Sequence, residues 1–227
     1  QRYLSVKEVT RSLGVRDSSP LLAAFCQVKE LVPASAVECC GNAIHSGVAR
    51  LLLRKLWDEG ILLPSADRPI TYASGCSSVD FFAEAVTDLW PGAWRYRHAS
   101  ESKRIRRLVL EHAWMPDEIF GDATDPDGRI AAQPEVDLYV LSPNCQPFSK
   151  RNKNRNDGGA LDVFADGAAD VAAVIAPVIG NHRARVVIVE NVATPEAIDI
   201  VGAALRRVGG YAWREQTLDA KTHAGYP

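Results

Sequence analysis

Val136-Asp137-Leu138-Tyr139-Val140-Leu141-Ser142-Pro143-Asn144-Cys145-Gln146-Pro147-Phe148-Ser149 decides how the rest of the chain is read. Its first six residues form a mostly apolar run of strand length, closed by Ser-Pro punctuation. Lys150 to Gly159 follow, polar, basic and glycine-ended, which predicts a loop. A thiol is thus offered at the C-terminal edge of a buried strand, where open α/β sheets place their chemistry. A lone cysteine is by default a small core hydrophobe. A strand exit between two prolines, beside a cationic loop suited to a polyanion, favours a reactive thiol instead.

Working outward, strands and helices alternate from residue 70 onward. Ile70–Ala73, Arg95–Ala99, Ile119–Phe120, Asp137–Leu141 and Val186–Val189 read as strands, with Ala212–Leu218 as a last one. Helices are expected over Ser77–Leu89, Ser102–Ala113, Val163–Ile179 and Thr194–Val208, the last ending at Gly209-Gly210. This alternation predicts an α/β fold, a Rossmann-like and mostly parallel sheet with helices on both faces.

The first 63 residues read as a helical block packed on that sheet domain of residues 64–227. Ser5-Val6-Lys7-Glu8 is a capping box opening a short helix to about Leu13. Ala43–Glu59 reads as an amphipathic helix with Ile44, Val48, Leu51, Leu52 and Leu56 on one stripe and Gly60 as its stop.

The 227 residues are 47% hydrophobic and 24% charged, with net charge -2, which describes an ordinary globular chain able to build one substantial core. The balance excludes a protein that coats nucleic acid through bulk charge, so any such contact falls to local basic patches. No apolar run is long enough to span a bilayer, so no membrane partner is expected. Five cysteines without metal-type spacing imply a reducing, intracellular compartment and no metal. Gln1 is not a start residue, which implies a fragment or a processed product.

Four sites stand at strand ends, each with two readings. Ser74-Gly75-Cys76-Ser77-Ser78, at the first strand-to-helix turn, suits the approach of a carboxylate or phosphate to backbone N–H groups, or is a plain tight turn. Glu101 can accept from ribose hydroxyls, or cap the Ser102 helix. Asp122, in Gly121-Asp122-Ala123, can accept from an adenine amino group, or belongs to an ordinary turn. Glu190 ends an apolar strand, so partial desolvation would raise its pKa and suit it to donate a proton; otherwise it caps the Thr194 helix.

Ser142–Ser149 resembles the nucleophile motif of the DNA cytosine-5 methyltransferases, Pro-Cys-Gln followed by a small residue or Pro, then Phe-Ser, with Asn144 at the family's first proline. Glu190-Asn191-Val192 is similar to the family's Glu-Asn-Val. Residues 73–78 resemble its Phe-x-Gly-x-Gly turn, with Ala73 at the phenylalanine and Ser77-Ser78 at glycines. Glu101 and Asp122 match its ribose and adenine acids in order and type. Arg2–Glu8 resembles the penultimate motif and Cys40-Gly41-Asn42-Ala43-Ile44 the last, Gly-Asn-Ala-Val, so the motif order is circularly permuted. Leu218–Pro227 resembles the lead-in to a Gln-x-Arg-x-Arg motif.

The resemblance implies a DNA methyltransferase using S-adenosylmethionine, with Cys145 and Glu190 catalytic on a flipped cytosine. It implies a cofactor site of Ala73, Gly75, Cys76, Ser78, Val79, Glu101, Ser102, Asp122, Ala123, Asn144, Leu161, Asn42, Ala43 and Ile44. Ser149, Arg151, Lys153 and Arg155 would contact DNA. Asn42 is expected to cap the Ala43–Glu59 helix and to line the same pocket as Gly75. The family's target-recognition domain is expected outside residues 1–227, on this gene or on a partner chain. The alternative is a non-catalytic relative that binds cofactor or DNA and supports a partner.

Overall fold

The computed structural model describes residues 5–41, 44–65, 67–149, 169–176, 180 and 184–224. Five strands, β1 (Ile70–Gly75), β2 (Trp94–Ser100), β3 (Glu118–Phe120), β4 (Leu138–Leu141) and β5 (Val186–Val189), form one sheet in the order β3-β2-β1-β4-β5. All four pairings are parallel. This is the order of the Rossmann-like α/β folds, with the chain leaving β1 at the switch point and winding first to one side, then to the other.

Alternate residues of the central strands feed two cores. Tyr72, Leu138 and Val140 face one, shared with α5 (Phe81–Leu89), α6 (Arg104–Trp114) and the N-terminal helices. Ala73, Tyr139 and Leu141 face the other, with Phe148, residues 169–176 (helix α7) and α8 (Pro195–Val208). Burial on both faces is why these strands read as continuous apolar runs.

The N-terminal helices are α1 (Val6–Ser12), α2 (Pro20–Gln27), α3 (Pro33–Gly41) and α4 (Ser46–Asp58). The capping box of α1 is present: Ser5 accepts from the Glu8 N–H while the Glu8 carboxylate accepts from the Ser5 N–H. Leu21 and Leu53 lie in one core with Tyr72 and Phe82, so the block is continuous with the sheet. Polar ties reinforce it: Asp88 of α5 pairs with Arg16 and, at 2.6 Å, with Arg50, and the Ser19 hydroxyl donates to the buried Glu84.

Several boundaries differ from those the sequence predicts. α2 and α3 were not foreseen. The helix after β1 starts at Phe81 rather than Ser77, because Cys76, Ser78 and Asp80 adopt positive φ and the true N-cap is Asp80. α4 starts at Ser46, its first turn capped by His45, whose Nδ1 accepts from the Gly47 N–H at 3.0 Å, so Asn42 does not cap it. Its buried side is Val48, Ala49 and Leu53, whereas Leu51 is exposed. Residues 212–218 form no strand: most are exposed, and Trp213 lies beneath the Arg206 guanidinium instead. A short α9 (Ala220–Ala224) follows and packs against α4. The expected helix of residues 163–179 is described only at 169–176, and its remaining stretch lies outside the described residues.

Candidate functional site

Register brings the site together. Gly75 pairs with both Ser100 and Leu141, Ser100 with Phe120, and Leu141 with Val189, so these five residues form one row across the sheet. The next residue of each strand is Cys76, Glu101, Gly121, Ser142 and Glu190. Three bonds carry the ladder past the edge: Glu101 N–H to the Phe120 carbonyl at 3.0 Å, Ser142 N–H to Gly75 at 3.1 Å, and Glu190 N–H to Leu141 at 2.8 Å. A cleft of about 520 Å³ opens along this row, within the usual range for small-molecule sites.

Most of the foreseen residues line it: Ile44, Gly75, Cys76, Ser78, Glu101, Ser102, Asp122, Ala123, Asn144, Cys145 and Glu190. Ile44 reaches it from the N-terminal block, as does Glu38. Three foreseen residues among the described ones do not line it: Ala73, Val79 and Ser149. Ala73 and Val79 are fully buried, one in each core, and Val79 contributes only its carbonyl to the Trp114 indole N–H. An inward-pointing β1 residue and an apolar turn residue are drawn into the cores by their own hydrophobicity. Ser149 is partly buried, with its N–H on the Cys145 carbonyl, and is not among the cleft residues. Asn42, Ala43, Arg151, Lys153, Arg155 and Leu161 lie outside the described residues.

Gly75 is required by packing. A Cβ there would stand 2.6 Å from Leu141 Cδ2, which is fully buried. Glu101 is fixed by donors from two turns: the Ser78 N–H at 2.8 Å on Oε2, the Lys103 N–H at 2.8 Å on Oε1, with Arg106 at 3.9 Å. Asp122 accepts from both the N–H and the hydroxyl of Thr124 at 2.8 Å, which orders the turn after β3.

Cys145 sits in a segment pinned at both ends. Pro143 is buried and its carbonyl accepts from the Asn191 side-chain amide at 3.2 Å. Phe148 is fully buried, and the N–H groups of Phe148 and Ser149 close a turn on the Cys145 carbonyl. Burial raises the Cys145 pKa, and the Glu190 charge raises it further. Glu190 is itself pushed up to about 6 by burial, against the pull of a hydrogen bond from the Ser142 hydroxyl. Thiol and carboxyl therefore face one space and are electrostatically linked.

Sequence reasoning missed several wall residues. Ser100 is fully buried and its hydroxyl has no hydrogen-bond partner among the described residues. Asp170 comes from α7, far from any motif. Asp80, Lys103 and Arg106 also line the cleft. Asn191, present in a quoted motif without a role, is the tie between the β5 exit and the Cys145 segment. Among the described residues the lining thus carries six acids, Glu38, Asp80, Glu101, Asp122, Asp170 and Glu190, against Lys103 and Arg106. The effect is felt locally: Cys76 is pushed up to about 12, first by burial, then by the charges of Glu101, Asp122 and Asp170.

No helix among the described residues is long and apolar enough to cross a membrane. Neither a protein-family model nor a curated protein matches the chain. A solved structure from Pyrococcus horikoshii, provisionally assigned as an RNA methyltransferase, is similar with a TM-score of 0.43 and 12% identity, over 92% of this chain and 81% of that one. A likeness of that degree carries no argument; the fold rests on the strand order above.

Proposed function

We propose that the chain is an S-adenosylmethionine-dependent methyltransferase acting on carbon 5 of a cytosine in DNA. The observation that carries the cofactor reading is the capping of α5. In dinucleotide-binding Rossmann folds the corresponding helix N-terminus receives a pyrophosphate. Here the buried Asp80 carboxylate already accepts from the Ala83 N–H at 2.9 Å, so an internal anion occupies that place. With six acids against two cations among the described wall residues, that part of the cleft disfavours a phosphate and suits a cationic nucleoside such as a sulfonium. The Ser100 hydroxyl, without a hydrogen-bond partner among the described residues, offers a further polar contact.

Glu101 and Ser100 would hold the ribose side, Asp122 the adenine side, and Ile44 the closing wall. Bound S-adenosylmethionine supplies an electrophilic methyl group. Cys145, once deprotonated, adds to ring carbon 6 of the extruded base and makes carbon 5 nucleophilic. Glu190, with its pKa raised to about 6, holds a proton at mildly acidic pH and donates it toward the ring nitrogen as charge builds there. Once carbon 5 has bonded the methyl group, loss of its proton restores the 5,6 double bond and expels the Cys145 sulfur as thiolate, and the ring nitrogen returns its proton to Glu190. The basic run from Lys150 to Arg155 would meet backbone phosphates.

A second reading follows from the Cys145 thiol, which burial and Glu190 hold toward its protonated form. It makes the chain a cofactor-binding relative without turnover. Cys145→Ala separates the two. Under the enzyme reading it abolishes methyl transfer, leaves cofactor affinity nearly unchanged, and loses the covalent adduct that the parent forms with DNA carrying 5-fluorocytosine. Adduct formation through another cysteine, or full activity in the variant, overturns it. A parent that binds cofactor yet forms neither product nor adduct supports the non-catalytic relative.

A further inference from the structure

Between β1 and α5 the chain passes through three non-glycine residues with positive φ: Cys76 at 53°, Ser78 at 51° and Asp80 at 57°. L-residues adopt this region only where their surroundings hold them there. The hold comes from a buried polar cluster beneath the turn. The Tyr72 hydroxyl donates to the Asp80 carboxylate at 2.9 Å, the Tyr96 hydroxyl donates to it as well, and Ser74 pairs with both Tyr96 and Ser77. Asp80 is 5% exposed and forms no salt bridge with any described residue, so hydroxyl and amide donors alone compensate its charge.

The same cluster fixes the backbone. Asp80 N–H donates to the Ser77 carbonyl at 2.8 Å, and Ser77 N–H to the Ser100 carbonyl at 2.9 Å. The outcome is that Ser78, between them, aims its N–H at Glu101 Oε2 at 2.8 Å. Burial pushes the Asp80 carboxyl up, while the hydrogen bonds from Tyr96, Ala83 and Tyr72 pull it back.

We propose that Asp80 is a positioning residue that, gripped by Tyr72 and Tyr96, holds the left-handed turn so that Ser78 N–H orients Glu101 for the cofactor ribose. The cluster does from below what glycines do in nucleotide-binding turns, which let the backbone bend at no steric cost. This rests on the cofactor reading above. Asp80 touches no reacting atom; it acts through Ser78 and Glu101.

Two measurements test it. The first needs no ligand: amide hydrogen exchange at Ser78 in the parent, Asp80→Asn and Tyr96→Phe, with thermal melts to verify folding. Exchange should be about tenfold faster in Asp80→Asn and intermediate in Tyr96→Phe. Unchanged exchange in both overturns the proposal, and Tyr96→Phe with Tyr72→Phe decide it if Asp80→Asn does not fold. The second is calorimetry with S-adenosylhomocysteine. Asp80→Asn should weaken binding about tenfold in the parent but add almost nothing in a Glu101→Gln background, because both act through one contact. A full tenfold loss in that background overturns the proposal. A parent that binds no S-adenosylhomocysteine defeats the cofactor reading and the ribose half of this one, while Ser78 exchange still decides whether Asp80 holds the turn.

Discussion

Glu101 and Glu190 stand in equivalent places in the sheet, and their surroundings could hardly differ more. Each is the first residue past a parallel strand, with β1 and β4 between them, and each lines the same cleft. Glu101 meets two backbone N–H groups at 2.8 Å and lies near a guanidinium. Glu190 is desolvated beside a segment with Pro143 and Pro147, which have no N–H to offer, and is pushed up to about 6. A strand end delivers a carboxyl to the edge; the neighbouring turns decide whether it serves as a fixed acceptor or as a proton donor.

The sharpest way to break this comparison is at the proton donor. Glu190→Gln should lower kcat by roughly 10²- to 10⁴-fold while leaving cofactor affinity nearly unchanged, measured by single-turnover methyl transfer and calorimetry. The pH profile carries the sign. With a protonated Glu190 and a deprotonated Cys145 both required, kcat/KM rises up to about pH 6, then stays level below the raised Cys145 pKa. Glu190→Gln should remove the break near pH 6, so that the residual rate keeps climbing about tenfold per pH unit toward that value. A break that persists in the variant assigns it to another group.

The acceptor side predicts a smaller effect of a different kind. Glu101→Ala should weaken S-adenosylmethionine binding about tenfold to hundredfold, equivalent to about 1.5–3 kcal/mol for a charged hydrogen bond. Asp122→Ala should act in the same direction. Unchanged affinity in both would dissolve the distinction between the two acids.

The smallest effect is on stability. Because the Glu190 pKa is raised in the folded state, its contribution is fully present below its ordinary 4.5 and is lost as pH rises through about 6. The loss should be at most about 2 kcal/mol. Asp80 and Glu84 are raised by burial too and act in the same direction, so the measurement is the parent minus Glu190→Gln in urea melts between pH 4 and 7. Parallel curves would mean that Glu190 is not desolvated.

Much of the edge was legible because its signals are local. An apolar run marked β4, which is buried on both faces, and another marked the edge strand β5, so that the acid ending β5 followed from its own run. The helix boundary after β1 is not legible locally because it depends on Asp80, whose left-handed N-cap conformation is held by tyrosines from two strands. α2 is hidden in the sequence although Ser19-Pro20 is a start signal, because Leu21, Ala24 and Phe25 show no polar alternation around them. Ala73, at a motif position, and Val79, next to the motif, are expected at the cofactor, yet side-chain direction puts both in the cores.

By itself the sequence determined the alternation of strands and helices, the capping of α1 and the chemistry available at each strand exit. These depend on residues within a few positions of one another. Only the tertiary structure decided the register that lines up Gly75, Ser100, Phe120, Leu141 and Val189, the approach of Ile44 and Asp170 to that edge, and the burial of Asp80 under two tyrosines. The physical reason is that register, burial and the pKa of Glu190 are set by atoms distant in the chain, whose desolvation exists only once both cores have closed.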